Sequence, residues 1–183
     1  MRITSGEFRG RLLDTPKDNA IRPTSDKIRQ AIFNAILSRM DIEDVTVIDA
    51  CSGTGALGIE SLSHDAQCVI FFDNNPSHLH LAKINTAKFD VHDKCHFIKS
   101  DVTKLSIKPN HIHTASLLFL DPPYRKDIIL PALTSFKNNG WIHDDTLCVV
   151  ESESEFTPPY HCEFDRSYGD TRVTMCRGKD IPS

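Results

Sequence analysis

The stretch with the clearest chemical potential is Asp121-Pro122-Pro123-Tyr124, which follows the apolar run Leu117-Leu118-Phe119-Leu120 directly. Prolines end a strand because they bring no N–H to the ladder. They also fix φ, so an acid and an aromatic ring would be held rigidly at the tip of a buried strand. Groups of this kind suit an exocyclic amine on a nucleobase. That nitrogen is a poor nucleophile, because its lone pair is delocalised into the ring. Acceptors on its N–H groups, here the Asp121 carboxylate and the Pro122 carbonyl, would draw it towards an electrophile. The Tyr124 ring would stack on the base and hold it flat, once the base is unpaired or extruded from its helix. A second Pro-Pro-Tyr, at 158–160, has Thr157 where the acid would be and follows ESESEF, which does not read as a buried strand. It reads as a connecting loop.

A second set of residues lies upstream. Asp49 closes the run VTVID, and Gly53, Gly55 and Gly58 follow in G-x-G-x-x-G spacing. Glycines there allow a sharp turn and close approach of backbone to a ligand. Asp73 closes the run CVIFFD, Asp101 closes CHFIKSD and Asp121 closes ASLLFLD. Ligands of open α/β sheets bind outside the carboxyl ends of the strands, so acids at those ends beside a glycine loop point to a ligand crevice. Asp73 suits a ribose diol. The glycines suit a pyridine dinucleotide, but a pyrophosphate would meet Asp49 with no Arg or Lys in the loop to offset it. S-adenosylmethionine carries an ammonium that would favour Asp49, and the balance leans towards it.

The elements that position these groups follow from periodicity. From Val45 onward apolar strands alternate with helical segments, which predicts right-handed crossovers and a mostly parallel sheet covered on both faces. Helices are expected from Gly55 to about Leu62, after Pro76, and at 128–136; TLCVVES reads as a fifth strand. The tail, HCEFDRSYGDTRVTMCRG, reads as two strands around Gly169-Asp170. Residues 2–14 read as a short hairpin with Gly6 and Gly10 as turn or bulge positions. Thr24 or Ser25 caps a helix to about Arg39, whose stripe is Ile28, Ala31, Ile32, Ala35 and Ile36; Lys27, Arg29 and Arg39 fall off it.

The chain of 183 residues is most simply one domain, with a basic segment at 1–40 and a catalytic core at 45–183. Residues 1–40 carry eight Lys/Arg against four Asp/Glu, whereas the remainder carries thirteen against twenty-one. A basic segment on an acidic body suggests a local contact with a polyanion. No apolar run approaches the ~20 residues of a membrane span, and the N-terminus has no apolar signal region. The six cysteines form no C-x-x-C pair and are expected as reduced thiols, with the cytoplasm as compartment. The i, i+2 histidine pairs, His78/His80 and His111/His113, fall on a helix and a loop without clustered carboxylates; they read as surface residues, and no metal is expected.

Asp121-Pro122-Pro123-Tyr124, the run from Asp49 through SGTG and the acid at Asp73 resemble class I S-adenosylmethionine-dependent amino-methyltransferases. RITSGEFRGRLLDTP followed by RPTSDKIRQAIFNAI is similar to the bacterial RsmD family, and NNGWIHDDTLCVVESE extends the likeness to about residue 153. Cys51, Ser52 and Asp73 depart from that family's usual bulky residue, alanine and glutamate. The resemblance implies a Rossmann-like fold with strand order 3-2-1-4-5-7-6 and an antiparallel last strand. It implies methylation of the N2 amine of a guanine in small-subunit (16S) rRNA, by a monomer acting on an assembling or assembled subunit. Asp49, Gly53, Thr54, Gly55, Asp73, Asn74, Asp101 and Val102 would bind the donor. Asp121, Pro122 and Tyr124 would hold the guanine, and Arg9, Arg11, Arg22, Lys27, Arg29, Arg125 and Lys126 would face RNA. The rivals are a DNA adenine or protein glutamine methyltransferase with the same Asp-Pro-Pro-Tyr chemistry, an NAD-dependent oxidoreductase, and a non-catalytic RNA-binding module.

Overall fold

The apolar runs become the centre of the sheet in the computed structural model, which describes residues 1–15, 24–124 and 127–182. Thr46–Ala50 (β1), Cys68–Asp73 (β2), Cys95–Lys99 (β3) and Ala115–Leu120 (β4) are separated by Ala56–Leu62 (α2) and Pro76–Lys88 (α3), with Asp26–Leu37 (α1) ahead of them. Ile129–Asn138 (α4), Ile142–Glu153 (β5), Phe164–Tyr168 (β6) and Thr171–Arg177 (β7) complete the chain. The seven strands lie in the order β3-β2-β1-β4-β5-β7-β6. β1 to β5 run parallel, and β7 is antiparallel to both of its neighbours. The expected fold and strand order are therefore present, including the hairpin at Gly169-Asp170.

Period-two alternation sorts the core into two layers. Val47, Phe71, Phe119 and Val149 face a cluster with Ile32, Phe33 and Ile36 of α1. Ile48, Phe72, Leu118 and Val150 face the opposite cluster with Leu133 and Phe136 of α4. Ile3, Phe8 and Leu13 belong to the first of these clusters, so the N-terminal segment packs on the sheet's own core.

The N-terminal hairpin is present: Arg2 and Leu12 form an antiparallel bridge, and Ile3 N donates to Arg11 O at 3.0 Å, Gly10 N to Ile3 O at 2.9 Å and Leu13 N to Met1 O at 3.1 Å. Its tip docks on the end of α2. Glu7 N donates to Ser63 O at 2.8 Å and Phe8 N to Ser63 Oγ at 2.8 Å, so the loop satisfies its backbone on the end of that helix. Gly6, at φ +76°, permits the approach; a Cβ there would sit 2.0 Å from Ser63 O. ESESEF departs from expectation. β5 continues through Glu153, and Glu151 and Ser152 are buried.

Ser25 caps α1, its side chain accepting from Ile28 N. Arg29 is a correction: it has no exposure and cannot face RNA. Its guanidinium donates to Thr24 O at 2.7 Å, Arg2 O at 2.6 Å and Asp26 Oδ1 at 2.7 Å, and pairs with the buried Glu60 at 3.4 Å. A buried carboxylate needs a counter-charge, and Arg29 supplies it.

Candidate active site

The strand tips converge on one cleft of about 1050 Å³. Its floor begins at Asp49, whose Oδ2 accepts from Gly58 N at 2.9 Å. Burial pushes the Asp49 carboxyl well above the usual range, opposed by that N–H and reinforced by the Asp121 and Asp73 charges. The turn that follows needs left-handed backbone at Cys51 (φ 61°), Gly53 (φ 52°) and Gly55 (φ 77°). Such a conformation at the non-glycine Cys51 is uncommon, and it belongs to the site rather than to an ordinary loop. Gly58 serves packing, since a Cβ there would lie 2.4 Å from the Phe71 ring and 2.8 Å from Val69. Gly55 does the same against Ala82 and Phe71; it shapes the loop but does not line the cleft.

Asp73, at the tip of β2, accepts from Gly53 N at 3.1 Å and Asn75 N at 2.9 Å, and meets His78 Nδ1 at 3.1 Å. His78, expected on the surface, thus lines the cleft, while His80, His111 and His113 are exposed. Asp101 accepts from the Thr103 hydroxyl at 2.7 Å and Thr103 N at 3.0 Å, which holds it below the usual carboxylate range. Thr54, Asn74 and Val102 line the same end. Among the described residues, Ser52 Oγ is buried at this end and makes no hydrogen bond.

The other end of the cleft holds Asp121, Pro122, Pro123 and Tyr124. Tyr124 Oη bonds to Thr171 Oγ1 at 2.9 Å, which anchors the ring on β7. Burial pushes Asp121 up to about 7, with the Thr24 hydroxyl pulling the other way. Glu151, within β5 and next to the tip of β4, is a site residue that the sequence does not single out. Thr24 Oγ1 lies 3.1 and 3.0 Å from its two carboxyl oxygens and 3.5 Å from Asp121 Oδ2. Burial, then the Asp121 charge, pushes Glu151 well above the usual range. The register of TLCVVES against LLFLD carried the available signal: the residues after Leu120 and Val150 must lie side by side.

Elsewhere, Arg9, Arg11 and Lys27 are exposed. The Arg11 guanidinium lies 4.3 Å from the Phe89 ring centroid and donates to Lys88 O at 2.8 Å. Arg22, Arg125 and Lys126 lie outside the described residues. The second Pro-Pro-Tyr stays out of the cleft; its Tyr160 is buried in the α4-side cluster and bonds to Thr174 at 3.3 Å. Among the described residues no group of three or more His, Cys, Asp or Glu is arranged to hold a metal ion, and no helix is long and apolar enough to cross a membrane.

A seven-stranded sheet in this order, with one antiparallel strand next to the edge and a cleft over its carboxyl ends, defines the class I methyltransferase fold. Residues 1–177 match the family described as conserved hypothetical protein 95, and the chain belongs to that family, the RsmD family. It is 31% identical to the ribosomal RNA small subunit methyltransferase D of Escherichia coli strain K12, over 85% of this chain and 76% of the relative. The yhhF structure from Escherichia coli superposes with a TM-score of 0.78 at 26% identity, covering 96% of each chain. The rRNA methyltransferase aviRa of Streptomyces viridochromogenes shares the fold at a TM-score of 0.70 and 17% identity, covering 91% of this chain and 90% of its own.

Proposed function

We propose that the protein transfers a methyl group from S-adenosylmethionine to the exocyclic N2 amine of a guanine in small-subunit (16S) rRNA. The observation that carries this is the shared cleft, in which the Asp121-Pro122-Pro123-Tyr124 corner faces the Asp49–Gly53–Asp73 corner. The kinship with a small-subunit rRNA methyltransferase supports the RNA class, and the basic segment at 1–40 supports a polyanionic partner. A single methyltransferase domain, acting as a cytoplasmic monomer on an assembling or assembled subunit, completes the reading.

The donor end fits the cofactor on its own chemistry. Asp49 offers a buried acid to an ammonium, the unbonded Ser52 Oγ offers a further polar contact, and Asp73 stands where a ribose diol would be held. Gly53, Thr54, Asn74, Asp101 and Val102 complete that end, with Gly55 shaping the loop behind them. When bound, S-adenosylmethionine supplies an electrophilic methyl on a sulfonium, and the hard chemistry is its own. The chain supplies positioning. Asp121 and the Pro122 carbonyl accept the amine's hydrogens, Tyr124 keeps the base planar, and the ionised Asp121 receives the proton that the nitrogen sheds. Arg9, Arg11 and Lys27 contact RNA, with Arg22, Arg125 and Lys126 as further contacts.

The test is transfer of labelled methyl from S-adenosylmethionine to unmodified small subunits and to naked 16S rRNA, with the product nucleoside identified. Label in N2-methylguanosine is the expected result. Label in N6-methyladenine in DNA, or in protein glutamine, would overturn the substrate class.

A further inference from the structure

Asp121 and Glu151 stand side by side. Leu120 of β4 pairs with Val150 of β5, so the next residue on each parallel strand is its neighbour's flank, about 4.8 Å away between backbones. Both side chains line the cleft. Among the described residues the side-chain donor that reaches both is Thr24 Oγ1, and a hydroxyl has a single hydrogen to give. Thr24 is itself fixed, because the buried Arg29 donates to its carbonyl at 2.7 Å. With both carboxyls ionised, the base end of the cleft holds more acceptors than hydrogens among the described residues.

An occupant that corrects this imbalance must present several donors in a row. Among bases with an exocyclic amine, guanine alone has a ring N–H, N1–H, beside that amine. Adenine and cytosine place an unprotonated ring nitrogen there, an acceptor that would oppose the carboxyls. Resting on the guanine-N2 reading above, we infer that Glu151 is the specificity-determining residue of the site, its carboxyl accepting the N1–H of the target guanine while Asp121 and the Pro122 carbonyl hold the N2 amine. Thr24 is a positioning residue, whose hydroxyl orients Glu151 for that contact. The burial that pushes Glu151 up is offset once both the Thr24 hydroxyl and a base N–H donate to it.

The experiment uses 16S rRNA assembled by ligation around a synthetic segment, with either guanine or 2,6-diaminopurine at the mapped target. It is offered naked and in reconstituted small subunits. Diaminopurine keeps the 2-amine but has no hydrogen on N1. The parent protein is expected to favour guanine in kcat/KM on the order of a hundredfold, as for a site left with an unpaired buried polar group. Glu151→Gln offers an amide N–H to the bare N1, and the preference is expected to fall within about tenfold. The ratio is taken within each protein, so a smaller folded fraction cancels; calorimetric donor binding reports folding separately. A variant without turnover is read by competition binding of the two RNAs, where the same loss of preference is expected. An equal preference in parent and variant overturns the inference. Absence of methyl transfer to the guanine RNA by the parent would instead overturn the guanine-N2 reading itself.

Discussion

Asp121 is asked to be ionised for chemistry in surroundings that favour its neutral form. With its carboxyl pushed up to about 7, methyl transfer should rise with pH between about 6 and 8. Asp121→Asn should be nearly inactive and lack that rise. The stability consequence has the opposite sign. The folded value, about 7, exceeds the ordinary 3.8, so this group's contribution is present below about 3.8 and is lost as pH rises through about 7. Asp121→Asn should therefore be more stable than the parent at pH 8 by about 1–3 kcal/mol in urea unfolding. The full shift at about 1.4 kcal/mol per unit is a ceiling, because the carboxyl opens onto the cleft. A parent as stable at pH 8 as the variant would refute the strained acid. At this scale the aspartates at the strand tips and the Asp-Pro-Pro-Tyr turn were legible, because each lies next to the apolar run that places it. Glu151 and Thr24 were not, because their contact spans 127 positions and ESESEF looks like a solvated stretch. His78 was missed because its meaning comes from Asp73, which lies on a different element.

Among the elements, α2 shows how closely backbone can approach sheet. Gly58 lies where the helix crosses Phe71 and Val69, both at the floor of the sheet. Gly58→Ala should cost about 1–3 kcal/mol in urea unfolding through overpacking, although alanine is the better helix former. It should also weaken donor binding, since a helix pushed away from Phe71 carries the backbone N–H of this position away from Asp49. A stabilised variant would show that the helix can shift without penalty. The strands were readable from apolar runs and their period of two. The N-terminal hairpin was readable from Gly6 and Gly10, but its docking was not, because the acceptors belong to Ser63, 56 positions beyond Glu7.

Across the whole molecule, charge separates two roles that composition had merged. Arg9 and Arg11 are exposed, whereas Arg29 is buried against Glu60. Arg9→Ala should weaken RNA binding and reduce the slope of log affinity against log salt by about 0.7–0.9, with the unfolding midpoint unchanged. Arg29→Met should leave the salt slope as it is and lower stability by about 3–5 kcal/mol, because the buried Glu60 keeps its bonds from Thr4 and Ser5 but loses its counter-charge. A salt slope that falls with Arg29 and not with Arg9 would reverse the assignment of the basic face. Arg29 could not be separated from its exposed neighbours in the sequence, because the buried carboxylate it pairs with lies on another helix, 31 positions away, whereas its near partner Asp26 reads as an ordinary surface pair.

The insertion of β7 between β5 and β6 gives the molecule an order of completion in time. Every group proposed to hold the donor lies before residue 103, but Thr171, which steadies Tyr124, lies on β7, which is translated after them. A nascent chain can thus assemble its cofactor half long before the base-holding half has a back. An enzyme that modifies ribosomal RNA would in this way stay idle while still tethered to the particle that is making it.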